Sequence, residues 1–100
     1  MHARVSTYQG TRETIDGALA QVDEVGPVVR GMQGSRGLIY LVDRASGKSV
    51  SITLWESAEA MQASEEAADR LRRDTSDSAG ETIVGVDRYE VAHFDVPDAT

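Results

Sequence analysis

The sequence predicts an α+β domain whose strands and helices follow one another in the order βαββαβ. Three observations carry this. Residues 3–8 and 49–55 alternate in side-chain type, the two-residue period of a strand. Residues 12–25 and 58–74 place apolar side chains at three- and four-residue spacing, the period of a helix. Two further stretches, 38–42 and 83–86, are short apolar runs bounded by glycine or polar turns, as covered strands are.

The first strand, Ala3 to Tyr8, sets Ala3, Val5 and Thr7 against Arg4, Ser6 and Tyr8. Gly10 breaks it, and Thr11 can cap the helix that follows. That helix runs from Arg12 to about Val25, with Ile15, Ala18, Leu19, Val22 and Val25 on one stripe. Glu13 and Asp16 suit the positive end of its dipole. Gly26-Pro27 is expected to stop it or to start a short second piece anchored by Val28 and Val29. Gly31 to Gly37 reads as a loop, and Leu38 to Val42 as a strand covered on both faces.

Asp43 to Lys48 has hairpin chemistry, with Gly47 suited to a positive φ. In the strand Ser49 to Trp55, residues Val50, Ile52 and Leu54 oppose Ser51, Thr53 and Trp55. Ser57 caps a helix from Ala58 to about Asp74, with Met61, Ser64, Ala68 and Leu71 inward. Thr75 to Gly80 reads as a polar loop. The last strand reaches from Glu81 or Thr82 to about Phe94.

This order is the split βαβ arrangement of a ferredoxin-like fold: an antiparallel four-stranded sheet with two helices on one face. Strands apolar on both faces are taken as the central ones. The uncovered face then needs a partner, and a second copy about a two-fold axis supplies it, giving a homodimer whose sheets pack together. Residues 1–96 form the single domain, and 97–100 a flexible tail.

Seventeen acids against ten bases leave a net charge of −7. Nucleic acid is thereby disfavoured as a partner, since phosphate binding needs clustered positive charge. An anionic membrane surface is disfavoured for the same reason. With no cysteine there is no disulfide, thiolate nucleophile or Cys-ligated zinc. The first residues lack the apolar stretch of a signal peptide, and no run approaches the ~20 apolar residues of a membrane span. These features point to a cytoplasmic protein.

Two stretches carry a resemblance. They are Gly34-Ser35-Arg36-Gly37-Leu38-Ile39-Tyr40-Leu41-Val42-Asp43-Arg44, and Ser51-Ile52-Thr53-Leu54-Trp55-Glu56-Ser57-Ala58-Glu59-Ala60-Met61. With Gly47-Lys48 between them, they resemble the antibiotic biosynthesis monooxygenase-like proteins of the dimeric α+β barrel superfamily. The resemblance implies the fold above, a homodimer, and a pocket in each subunit. The family includes cofactor-independent oxygenases of aromatic polyketide-like substrates and haem-degrading relatives, and many of its members have no assigned chemistry. The tryptophan at the end of the third strand matches Trp55. The iron-binding histidine of the haem-degrading members falls at Ser64, and the asparagine used by both groups has no counterpart, because the chain contains none.

Trp55 is the expected pocket wall, its ring beside small neighbours and its indole N–H free to donate to a substrate carbonyl. Tyr8, Tyr40 and Tyr89 offer hydroxyls, though without strand register it is open which share the face of Trp55. Met32 and Met61 suit an adaptable cavity. Ser64 lies beside that cavity in the second helix. Arg88, if inward, could polarise a carbonyl; otherwise it pairs with a carboxylate.

His93 could serve as a base but lies near a strand end. Two histidines alone do not make a metal site, and no cofactor or metal is expected. Gly47-Lys48-Ser49 lacks the earlier glycine of a phosphate loop. Arg70, Arg72 and Arg73 read as a solvated helix face. Two functions fit this reading. One is a pocket for a flat aromatic or quinol-like molecule, with cofactor-independent oxygenation as its chemistry. The other is a non-catalytic ligand-binding or accessory dimer that keeps only the fold.

Overall fold

The computed structural model describes residues 1–97, so most of the expected tail lies outside the described residues. Four strands and three helices follow one another: β1 (His2–Gln9), α1 (Arg12–Arg30), β2 (Ser35–Asp43), β3 (Lys48–Trp55), α2 (Ala58–Ala63), α3 (Glu65–Ala79) and β4 (Thr82–Glu90). The strands form one antiparallel sheet in the order β2-β3-β1-β4, with the helices on one face. This is the ferredoxin-like topology that the element order predicts.

Local chemistry explains most boundaries. Thr11 accepts a bond from the Thr14 backbone, and the Thr14 hydroxyl answers it, so α1 begins with a reciprocal cap. Ser57 accepts from the Ala60 N–H at 3.0 Å and opens α2. Gly80, at φ 76°, closes α3 in the left-handed region. In the β2–β3 turn Asp43 accepts from the Ala45 N–H (3.1 Å) and the Ser46 hydroxyl (2.9 Å). Gly47 follows at φ 76°, and a side-chain carbon there would stand 2.1 Å from the Gly10 carbonyl oxygen.

Five expectations are corrected. First, α1 does not stop at Gly26-Pro27 but runs through to Arg30. Pro27 lies on the exposed side, where solvent can replace the one bond it cannot donate, and Val29 beyond it is buried. Second, the second helix is two helices, broken at Ser64. Its second part continues to Ala79 through the stretch read as a loop. The break has a visible cause: the Met61 carbonyl accepts from the Ser64 N–H at 3.2 Å, and from Arg4 and the Ser64 hydroxyl at 2.7 Å each, rather than from the next turn of the helix.

Third, β2 starts at Ser35 rather than Leu38, with a bulge between Ser35 and Gly37, and β4 ends at Glu90 rather than Phe94. Fourth, the strands apolar on both faces are the edges, β2 and β4, and the alternating strands β1 and β3 are central. Fifth, Arg72 is not solvated but 8% exposed, while Arg70 and Arg73 remain outside.

Strand register places two very different faces on the sheet. One face carries the rows Ile39–Ile52–Val5 and Leu41–Val50–Thr7, and it bears no helix. Ile39 and Leu41 are 45% and 50% exposed there. The face beneath the helices carries Trp55, the row Leu38–Thr53–Arg4–Arg88 and the row Tyr40–Ser51–Ser6–Val86. Apart from Trp55 and Thr7, the apolar side chains of the central strands thus point away from the helices, and the polar ones point toward them.

Candidate functional site

That inversion leaves a cavity between helices and sheet. Its roof is apolar, from Val22, Val25 and Val29 of α1 and Leu71 of α3. Its floor combines Arg4, Ser6, Ser51 and Thr53 with the rings of Tyr8, Tyr40 and Trp55, and the surface left open to the cavity is mostly apolar. The enclosed volume is about 90 Å³. A shallower hollow of about 270 Å³, edged by Gly26, Pro27 and Arg30, shares Val22 and Leu38 with it. The interior is as polar as it is apolar. Arg4, Ser6, Ser49, Ser64, Arg72 and Ser76 are buried beside Ala3, Ile15, Ala18, Val29, Trp55 and Met61. Among these, Arg4 Nε and Nη1 and the Ser76 hydroxyl are buried without a partner, a cost that a ligand with polar atoms would offset.

One end of the cavity is organised by Arg4. Its side chain is 2% exposed and stands 5.5 Å from the centroid of the Trp55 ring. Its Nη2 donates to the Met61 carbonyl (2.7 Å), Ser64 Oγ (3.0 Å) and Glu65 Oε1 (2.9 Å). Its Nε and Nη1 are buried with no partner. Glu65 in turn accepts two bonds from Arg88, at 2.7 and 2.6 Å. Those bonds, then those of Arg4, hold its carboxyl at about 2, against the opposing effect of burial.

The other end is organised by Glu81. Ser49 Oγ lies 3.4 Å from its carboxylate, and burial pushes its pKa up. Burial likewise pushes up the Tyr40 phenol, and the Glu81 charge adds to this against a bond with Ser49. Tyr8 and Ser51 share a hydroxyl–hydroxyl bond of 3.2 Å. Ser76, also against the cavity, is buried with an unpartnered hydroxyl.

The sequence pattern points to Trp55, Tyr40, Met61, Ser64, Tyr8 and Arg88. The structure brings Trp55, Tyr8 and Tyr40 to the cavity together. Tyr89 lies on the opposite face of the sheet, opposite Ala3, and is 56% exposed. Met61 and Ser64 are buried behind Arg4, which they bind, rather than against the cavity. Arg88 makes the carboxylate pair just described. Met32 contributes to the cavity, and His93 is exposed beyond β4. The Trp55 indole N–H is already given to Thr53 Oγ1 at 2.9 Å, so it is not free for a substrate carbonyl, and the ring is fully buried beneath the Arg4 guanidinium.

Arg4, Glu81, Arg72 and Ser76 escape the sequence reading. The signal for Arg4 lies in two strands read jointly: β1 and β3 each offer one polar face, and the face of Trp55 on β3 is the polar one.

Haem does not fit these residues. Ser64 has its hydroxyl engaged by Arg4 and Met61, and neither His2 nor His93 reaches the cavity. Among the described residues no cluster of three His, Cys, Asp or Glu side chains could hold a metal ion. No helix among them is long and apolar enough to cross a membrane.

No family model matches the chain. It is 40% identical over 93 residues to the uncharacterised protein Rv2557 of Mycobacterium tuberculosis, covering 92% of this chain and 41% of that protein. It is 36% identical over 73 residues to Rv2558 of the same organism, covering 72% of this chain and 31% of that one. The chain thus spans well under half the length of these relatives.

Three solved structures are similar over nearly the whole chain. A protein of Deinococcus radiodurans assigned as an antibiotic biosynthesis monooxygenase aligns with TM-score 0.74 at 14% identity, covering 99% of this chain and 100% of that one. The monooxygenase ActVA-Orf6 of Streptomyces coelicolor, solved with nanaomycin D, aligns with TM-score 0.69 at 16% identity, covering 97% and 92%. The haem degrader MhuD of Mycobacterium tuberculosis, solved with two haems in its active site, aligns with TM-score 0.68 at 18% identity, covering 96% and 99%. At these identities the likeness is one of fold. The chain has the ferredoxin-like fold of the antibiotic biosynthesis monooxygenase-like proteins, as the resemblance in its sequence implies.

Proposed function

We propose that this domain, residues 1–96, is a cytoplasmic small-molecule protein of the monooxygenase-like kind. Its cavity takes a flat aromatic or quinol-like molecule. The observation that carries this is a mostly apolar cavity bordered by two residues with buried, unpartnered polar atoms, Arg4 and Ser76, an arrangement a packed core does not need. A cavity of about 90 Å³ is small beside the several hundred Å³ that enclose larger ligands. A ring system would therefore extend past Val22 and Leu38 into the adjoining hollow, under the part of α1 that Pro27 weakens.

The chemistry proposed is oxygenation without cofactor. A substrate methylene gives a proton to a carboxylate, for which Glu81 is the group at hand. The carbanion reduces O₂, and the resulting hydroperoxide loses water to leave a carbonyl. One oxygen atom ends in the product and one in water. Desolvation and hydrogen bonding are the protein's contribution.

Melting temperature against anthrones, quinols and flavonoids tests the binding. A ligand at a hundred times its dissociation constant adds about 2.7 kcal/mol. Substrate-dependent O₂ uptake, reduced by Trp55→Phe, is the expected catalytic result. Binding without uptake favours the second reading, a non-catalytic dimer, to which the occupied indole N–H and the missing asparagine lend weight.

The uncovered sheet face is proposed to seat a second copy. Its rows of Ile39, Ile52 and Val5 suit a self-complementary interface. Sedimentation is expected to give a dimer at micromolar concentration, and a stable monomer would refute it.

A further inference from the structure

We propose that Arg4 selects the ligand of this cavity, holding an anionic oxygen of a carboxylate, phenolate or enolate through Nε and Nη1. The inference rests on the cavity being the binding site and goes further, to the charge of what binds. A guanidinium has five N–H donors in a fixed fork. In Arg4 one nitrogen, Nη2, makes all three hydrogen bonds, to Met61, Ser64 and Glu65. The other two nitrogens, carrying three of the five N–H groups, are buried and unpaired in a residue that borders the cavity. Leaving donors of a charged group unmet is expensive, and the expense falls away when an acceptor arrives.

A purely structural arginine would have its fork matched by a carboxylate in a two-pronged pair. The nearby carboxylate, Glu65, gives that pair to Arg88 instead and spares Arg4 a single oxygen. The three groups together carry one net positive charge. The guanidinium lies over the Trp55 ring, 5.5 Å from its centroid, which fixes its plane at that end of the cavity. An aromatic anion would therefore meet an apolar roof and an unmet fork. The net charge of −7 supplies no long-range attraction for anions, so the selection is local.

The test uses the full chain at neutral pH with benzoate and benzamide, which match in shape and differ in charge. Trp55 is the only tryptophan, so its indole N–H resonance reports binding at the cavity directly. Benzoate is expected to bind about ten-fold more tightly than benzamide, as a charge-assisted pair does over a neutral one. In Arg4→Gln that preference should vanish while benzamide binding persists. Arg4 also ties α2 to β1, so Arg4→Lys is a second variant: it keeps the charge without the fork and should lose most of the preference. If neither variant folds, the wild-type comparison decides alone. Equal affinity for the two probes, or a preference that survives Arg4→Gln, overturns the proposal and leaves the cavity reading standing. A Trp55 signal indifferent to both probes overturns the cavity reading itself.

Discussion

Glu65 is shared by two guanidinium groups, and that sharing makes it the acid-sensitive point of the structure. Its carboxyl is held at about 2 in the fold, below the ordinary 4.5, chiefly by Arg88 and then by Arg4. A depressed carboxyl contributes stability in full above its unfolded value and loses it as pH falls toward the folded one. Acid titration of the melting temperature should therefore decline between about pH 4.5 and pH 2, and Glu65→Gln should flatten that limb.

Glu81 has the opposite sign. Burial raises it, so the folded chain binds that proton more tightly than the unfolded chain, and stability falls as pH rises past the ordinary value. Glu81→Gln should hold or raise the melting temperature at neutral pH while abolishing any oxygen uptake that needs a proton acceptor. A lowered melting temperature would show that the charge is stabilising after all.

That Trp55 walls a cavity was legible because a large ring among small neighbours leaves room, whereas which of Tyr8, Tyr40 and Tyr89 share its face needed the strand register. Arg4 and Glu81 were not legible, because a charge in an alternating pattern is assigned to solvent by default. Alternation tells which residues share a face and not which face is covered.

The elements were legible in kind and order, and less so at their ends. Thr11, Ser57 and Gly47 announce their caps and turn in single residues. The break at Ser64 could not be read, because a side chain from β1 causes it, sixty positions earlier in the chain. The passage of α1 through Pro27 depends on which side of the helix meets solvent, again a tertiary fact. Gly47 is the position where local backbone is least forgiving. Gly47→Ala would need a side chain at φ 76° and 2.1 Å from the Gly10 oxygen. A loss of more than about 2 kcal/mol in chemical denaturation is expected from the strained backbone and the clash together. A loss within error would mean that the turn has room to move.

At the scale of the whole molecule, the uncovered sheet face and the cavity lie on opposite sides of one layer. The element order βαββαβ was legible, and the fold it names is the one observed. The reading of the two-sided strands as central was wrong because amphipathic β1 and β3 occupy the middle. Ile52→Glu, placed between Ile39 and Val5, should convert a dimer to monomer in sedimentation while leaving the helix-side cavity intact. An unchanged dimer would move the interface elsewhere.

The cavity has a mechanical consequence as well. Space that packing leaves unfilled is space that unfolding removes, so the native chain occupies more volume than the unfolded one. Hydrostatic pressure should then unfold this protein readily, with a volume change of the order of tens of mL/mol. A ligand that fills the space should raise the pressure midpoint by a larger proportion than it raises the melting temperature. Compressibility would thus report whether the cavity is occupied, even for a ligand that leaves no spectroscopic trace.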